Sequence, residues 1–205
     1  MPGKSLELVG GALCLDFANT VSDYQAEARV DHLEGYGDLV AFAAQTQAIP
    51  AAAARRLRRL AGEDPAAAAR ALARARDLRE ALFWIFHAAA HGKPAAAADL
   101  EALTRARAVA AAHQRLEREG EGYALGWDTL DDLQAPLWPI AVSAVALVTS
   151  AERLRVRTCV TEETGGCTWL FVDTSRNGSR RWCSMRDCGN RAKARRHYAR
   201  ATARA

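Results

Sequence analysis

Apolar and polar positions follow two different rhythms along the chain. Between Gly37 and Gly120 apolar residues recur every three to four positions in an alanine-rich background, the signature of helices packed on one face. Breaks at Ile49-Pro50, Gly62 to Pro65 and Gly92 to Pro94 divide this region into three or four helices. The best defined carries Leu78, Leu82, Ile85 and Phe86 on one side, with Arg74, Arg76 and Arg79 largely elsewhere. A strongly apolar run from Leu137 to about Leu154 predicts a further helix, with Pro136 and Pro139 near its start and Glu152 to Arg157 as its charged end. The remaining pieces read as extended. Ser5 to Phe17, split by Gly10-Gly11, suggests a hairpin or strand pair, and Gly122 to Trp127 a strand that joins the same sheet. Near the end, Thr168 to Asp173 is rich in aromatic and branched side chains, Asn177-Gly178 is a tight-turn dipeptide, and Arg180 to Cys183 is the returning strand. A helix from about Arg191 to Arg200 follows. The expected fold is α+β and predominantly helical: an N-terminal helical domain with a small β-sheet over residues 1–150, and a C-terminal module of hairpin plus helix over 151–205.

Composition narrows the class. The 205 residues are half apolar and one quarter charged, which excludes disordered, collagenous and disulfide-dense chains. No run reaches the 18 or so apolar residues of a membrane helix, and Met1 to Ser5 lacks the apolar stretch of a signal peptide, so a cytoplasmic protein without membrane contact is expected. The net charge of +4 conceals an asymmetry: from Arg176 onward ten Lys or Arg stand against one acid, Asp187, leaving the rest of the chain net acidic. A basic tail of this kind suits a polyanion, and nucleic acid better than membrane because apolar anchors are few.

The cysteines share this unevenness. Cys14 stands alone in an apolar run and reads as a buried small hydrophobe, whereas Cys159, Cys167, Cys183 and Cys188 fall within thirty residues. In a reducing compartment clustered thiols are metal ligands before they are disulfides. Two precede the predicted hairpin and two lie between hairpin and helix, so folding the hairpin back brings four thiolates to one closed tetrahedral zinc site, structural because no coordination position stays open. The spacing C-x7-C, x15, C-x4-C is looser than that of common fingers, and no C-x2-C redox pair is present.

Arg180-Arg181-Trp182-Cys183-Ser184-Met185, followed by Cys188-Gly189-Asn190-Arg191 and Lys193, resembles the CGNR zinc-finger family. Leu13-Cys14-Leu15-Asp16-Phe17-Ala18-Asn19-Thr20 is similar to the opening of the ABATE domain that accompanies it. The resemblance spans nearly the whole chain and implies a treble-clef-like zinc module in a bacterial, stress-induced transcription regulator whose finger binds DNA.

On a helix, Lys193, Arg196, Arg200 and Arg204 fall within one stripe about 80° wide, a face for phosphates or a groove. Arg191 and Arg195 lie nearly opposite, and Arg180 and Arg181 at the hairpin, with Arg176, Asn177 and Ser179, add a second basic edge. Trp169, Phe171 and Trp182 read as a mini-core rather than stacking platforms. Asp16, Asn19 and His32, with Asp23, are candidates for a ligand pocket, although caps and turns use the same residue types. His87 and His91 have metal-clamp spacing but no visible third ligand, and His197 reads as a surface residue. No phosphate-binding glycine loop, nucleophile elbow or zinc-protease motif occurs, so no enzymatic activity is expected. The reading is a DNA-binding regulator with one structural Zn2+, a small-molecule effector and a homodimeric state as further expectations. The rivals are an RNA- or protein-interaction module built on the same zinc, and an enzyme with its site around Asp16, Asn19 and His32.

Overall fold

The computed structural model describes residues 6–24, 29–160 and 166–202, with side chains as far as Tyr198. Its helices are α1 (Leu13–Ala18), α2 (Tyr36–Gln45), α3 (Ala51–Glu63), α4 (Pro65–Ala90), α5 (Ala97–His113), α6 (Leu137–Thr149) and α7 (Asn190–Thr202). Two antiparallel strand pairs complete it, β1 (Gln114–Glu119) with β2 (Gly122–Trp127), and β3 (Val156–Thr158) with β4 (Leu170–Val172). The fold is α+β and mainly helical.

The 26-residue α4 is the central element. Asp64 caps it, its carboxylate accepting the Ala67 N–H at 2.8 Å, and Pro65 occupies the first position, where a missing N–H costs nothing. Around Leu78, Leu82, Phe83, Ile85 and Phe86 pack α1, α2, α5 and β3. The core continues past residue 150: Val156, Leu170 and Val172 belong to the same buried cluster as Phe17, Leu82 and Phe86.

Four expectations are corrected. Residues 13–18 are helical rather than extended, because this six-residue helix is buried against α4, α6 and β4 and therefore carries apolar residues without helical periodicity. The N-terminal sheet accordingly does not form among the described residues, and Gly122–Trp127 pairs instead with Gln114–Glu119 through a turn at Gly120, whose φ is 59°. The charged run Gln114-Arg115-Leu116-Glu117-Arg118-Glu119 looks helical by composition, and only its partner strand shows otherwise. The helix predicted to about Leu154 ends at Thr149, where Ser150 turns the chain into a short 3-10 segment, Ala151–Arg155.

Arg79 is 4 % exposed and donates to both carboxylate oxygens of Asp31, at 2.6 and 2.7 Å, and to Thr20 Oγ1 at 3.1 Å. Burial alone would raise the Asp31 pKa, but hydrogen bonds from Arg79 and the Leu33 N–H, with the charges of Arg79 and Arg76, hold it below the ordinary carboxylate value. Removing the acid leaves a buried cation uncompensated, so Asp31→Ala is expected to destabilise the fold by about 3 kcal/mol at neutral pH. Because the folded-state value is depressed, this stabilisation is complete above about pH 5 and lost as the pH falls through the carboxylate range. Urea midpoints across pH 7 to 3 should fall more steeply for the wild type than for Asp31→Ala.

Candidate metal centre and its basic surface

The C-terminal strand pair differs from the predicted one. β4 pairs with β3, not with 180–183, so Cys159 and Cys167 lie in the β3–β4 connection: Cys159 follows β3 and Cys167 precedes β4. The Asn177-Gly178 turn is present, with Gly178 at φ 62°, but no ladder follows it. Side chains satisfy the backbone there instead. The buried Asp173 accepts the N–H and Oγ–H of Ser175 at 2.8 and 2.6 Å and the Arg180 N–H at 3.1 Å. Arg180 then donates to the carbonyls of Trp182 and Cys183, with its guanidinium 4.4 Å from the Phe171 ring. The returning segment touches the β3 side through Val160 N–H to Arg181 O, at 3.2 Å.

This folding brings all four cysteines together. Their sulfurs lie within 4.8 Å of one another and all four residues are buried. Cys167 to Cys183 is 3.6 Å and Cys183 to Cys188 is 3.5 Å. A tetrahedral zinc with bonds of 2.3 Å has sulfur–sulfur edges of about 3.8 Å, so the cluster is close to the size a Zn2+ ion requires. The chemistry agrees. As thiols the groups compete for protons: hydrogen bonds from Cys167 and then Cys183 pull Cys159 down, and the same contact with Cys159 pushes Cys167 and Cys183 up. Four sulfurs this close become thiolates together only around a cation.

Each residue of the Cys188-Gly189-Asn190-Arg191 word has a physical task. Cys188 is a ligand. Gly189 is buried where an added Cβ would stand 2.9 Å from the Met185 sulfur, so the turn closes tightly. Asn190 Nδ2 donates to Arg186 O at 2.7 Å, ending the wide turn Met185–Gly189. Arg191 Nη2 donates to Cys188 Sγ at 3.0 Å, placing a positive charge beside the anionic centre. Ahead of them, Ser184 Oγ accepts the Asp187 N–H at 3.3 Å, which starts the turn.

With this geometry in place, comparison of the sequence with known families is decisive. Residues 11–151 match the ABATE family, described as "Putative stress-induced transcription regulator", and residues 155–201 match the CGNR zinc finger. The chain belongs to the ABATE family and ends in a CGNR zinc finger. No curated protein matches it. Cys159, Cys167, Cys183 and Cys188 hold one structural zinc, whose contribution is to fix the β3–β4 connection, the 173–184 segment and the start of α7 around one point.

The predicted nucleic-acid residues divide. Arg180 is half-buried and turned to carbonyls, and Arg191, although exposed, directs one guanidinium nitrogen to Cys188 Sγ, as above. Arg181 and Arg196 are exposed and approach the same Trp182 ring, 5.6 and 6.0 Å from its centre, and Lys193 precedes Arg196 by one turn. Arg195, His197 and Tyr198 are exposed, as is Arg176. The side chain of Arg200 and all of Arg204 lie outside the described residues. Phe171 is fully buried, but Trp182 is only half-buried, so it is part of the basic surface as well as of the mini-core.

Of the residues proposed for a ligand pocket, Asp16, Asn19 and His32 are each engaged in hydrogen bonds with neighbouring backbone, while Asp23 lines a cleft of about 730 Å3 together with Cys167 and Trp169. Asp16 Oδ1 accepts the Gly10 N–H at 2.7 Å, and burial raises its pKa. Asn19, 3 % exposed, accepts the Leu170 N–H and donates to Leu170 O, both at 2.8 Å, acting as a neighbouring strand for β4. Trp169 Nε1 donates to Val21 O and Thr168 Oγ1 accepts the Tyr24 N–H, so this zone is an interface between α1 and the finger. His32 donates its backbone N–H to Thr20 O beside it. Burial pushes the Cys14 thiol up to about 12. The His87 and His91 rings lie 4.3 Å apart at a tilt of 33°, and His91 Nδ1 is occupied with His87 O. The sequence reading missed Asp173, Asn19 and Trp169 as organisers of the site; the Asp-x-Ser spacing at Asp173-Thr174-Ser175 is the one local signal, an Asx-type turn.

Two outcomes follow. Cys188→Ser should reduce bound zinc from one per chain toward none, measured by metal analysis after dialysis. Asn19→Ala strands two buried backbone groups of Leu170, with an expected loss of about 2 to 4 kcal/mol in chemical unfolding and faster zinc transfer to a chromogenic chelator.

Proposed function

We propose that the chain is a cytoplasmic, non-enzymatic regulator of bacterial stress-response transcription that binds DNA through the exposed basic surface of its zinc finger. The observation that carries this reading is the convergence on Trp182 of Arg181, next to it in the chain, and of Arg196 from α7, where Lys193 stands one turn earlier, with the start of α7 anchored to the zinc centre by Arg191 and the preceding Cys188. Two arginines flanking an aromatic plane suit bidentate contacts to phosphate or guanine, and the anchored helix start holds them in fixed relation. The family description supports the regulatory role. No helix among the described residues is long and apolar enough to cross a membrane, in keeping with a cytoplasmic site of action.

For a small-molecule effector the candidate place is a cleft of about 430 Å3 between α4, α5 and α6, with Leu78, Val109, Leu137 and Trp138 as apolar lining and Arg74, Arg105 and Asp77 as its charged residues, a combination suited to a small, largely apolar molecule with a polar end.

The test is the salt dependence of binding to duplex DNA by zinc-loaded protein, followed by fluorescence anisotropy. Lys193→Ala with Arg196→Ala should lower the slope of log K against log salt by about two while zinc content stays the same. An unchanged slope overturns the assignment of these residues. Preference for structured RNA over duplex DNA in direct competition overturns the choice of nucleic acid.

A further inference from the structure

The strand pair β1–β2 is attached to the body at its base, where Trp127 packs 5.6 Å from Trp138. Beyond the base it is exposed, and it displays three large apolar side chains: Leu116, Tyr123 and Leu125 are 70, 76 and 65 % exposed. The register sets Leu116 opposite Leu125 and Arg118 opposite Tyr123, so all three lie on one face. A lone two-stranded ribbon is marginal in water, and an apolar row on it has nothing to pack against.

The two edges of the ribbon differ. β1 carries Arg115, Glu117, Arg118 and Glu119, the kind of charged edge that resists further pairing, and Arg115 Nη1 occupies Gln114 O at 2.8 Å. β2, Gly122-Tyr123-Ala124-Leu125-Gly126-Trp127, has neither charge nor proline. The Asp128 N–H donates to His113 O, one step beyond the ladder and in its register. Hydrogen-bonded and non-hydrogen-bonded pairs alternate in an antiparallel ladder, so the N–H and C=O of Tyr123 and Leu125 point away from β1. They have no partner among the described residues. The strand is also nearly palindromic about Ala124: Gly122 matches Gly126, and Tyr123 matches Leu125.

We infer that the chain forms a two-fold dimer in which β2 of one copy pairs antiparallel with β2 of a second copy about Ala124. In this register Tyr123 of each copy stands opposite Leu125 of the other, and because both present their backbone groups outward, four interchain hydrogen bonds form. The ribbons become one four-stranded sheet, on which Leu116 and Leu125 of one copy line up with Tyr123 of the other. Electrostatics favours a second copy over a charged partner. The paired strands themselves carry no charge; at each end Glu121 of one copy comes beside Asp128 of the other, which Arg115 already pairs at 2.7 Å, and the two Glu117 residues on the outer strands are three strand spacings or about 14 Å apart, beyond the screening length of about 8 Å at physiological salt. An isologous interface requires a surface that matches itself, which the palindrome provides. The inference stands whether or not the finger binds DNA, since its readout is mass.

Sedimentation equilibrium of the zinc-loaded full chain, from about 1 to 100 μM, is expected to show twice the 22.2 kDa of one chain at the upper end. Leu125→Pro removes an outward N–H without touching a bond to β1, and should return the mass to one chain with circular dichroism and zinc content unchanged. Ala124→Cys places two thiols at the two-fold axis within disulfide reach and should give a cross-linked dimer on mild oxidation, whereas Glu117→Cys should not. A one-chain mass at every concentration overturns the inference and leaves the apolar row to a different partner. A cross-link through Glu117→Cys and not Ala124→Cys overturns it in favour of the β1 edge.

Discussion

Strand β4 is three residues long, fully inside the protein, and has one strand beside it. Its second edge must still find hydrogen-bond partners, since a buried unpaired amide or carbonyl costs free energy. Asn19 and the Gly10 carbonyl meet that need, the former pairing both groups of Leu170 and the latter accepting the Val172 N–H at 2.8 Å. Much of the architecture follows. Gly10 must approach so closely that a Cβ there would stand 2.8 Å from Leu15 and from the Asp16 amide, and α1 must lie where its last turn projects Asn19. The position of β4 then fixes Cys167 before it and Asp173 after it, and so the loop geometry that gathers the zinc ligands. The metal closes a module whose foundation is the N-terminal segment.

The site was legible in the sequence as far as chemistry is local. Four clustered cysteines and the residues around them identify a zinc finger, because thiolate donors have few other uses in a reducing compartment. Helix breaks at Pro50, Pro65 and Pro94 were equally plain, since proline acts on its own backbone. What escaped was non-local. Residues 13–18 look extended because every side of a short, enclosed helix is apolar, and residues 114–119 look helical because only a partner strand distinguishes them. The pairing of β4 with β3, and not with 180–183, depends on Asp173 and Arg180 satisfying backbone groups that a ladder would otherwise take, and a side chain's choice of backbone partner leaves little trace in composition. Asn19 illustrates the same limit: it reads as a cap, and the residue it serves is 151 positions away.

The arginines of the finger show how one residue type divides between two tasks. Arg180 and Arg191 are turned toward carbonyls and a ligand sulfur, holding the centre together, while Arg181 and Arg196 remain outside on the Trp182 plane. Adjacent positions, 180 and 181, thus fall on opposite sides of the division. The basic character of the tail alone cannot separate them; the direction of each guanidinium does.

The contact between Asn19 and Leu170 bears on how the protein is made. Synthesis proceeds from the N-terminus at roughly 5 to 20 residues per second, so α1 leaves the ribosome many seconds before β4 exists. During that interval Leu15 and Phe17 can pack on the emerging helices, but the face of α1 meant for the finger has nothing to rest on, and closing so long a loop is slow. Helix α1 is therefore among the last of these elements to reach its final place, and the nascent protein carries an unfinished apolar seam until β4 appears.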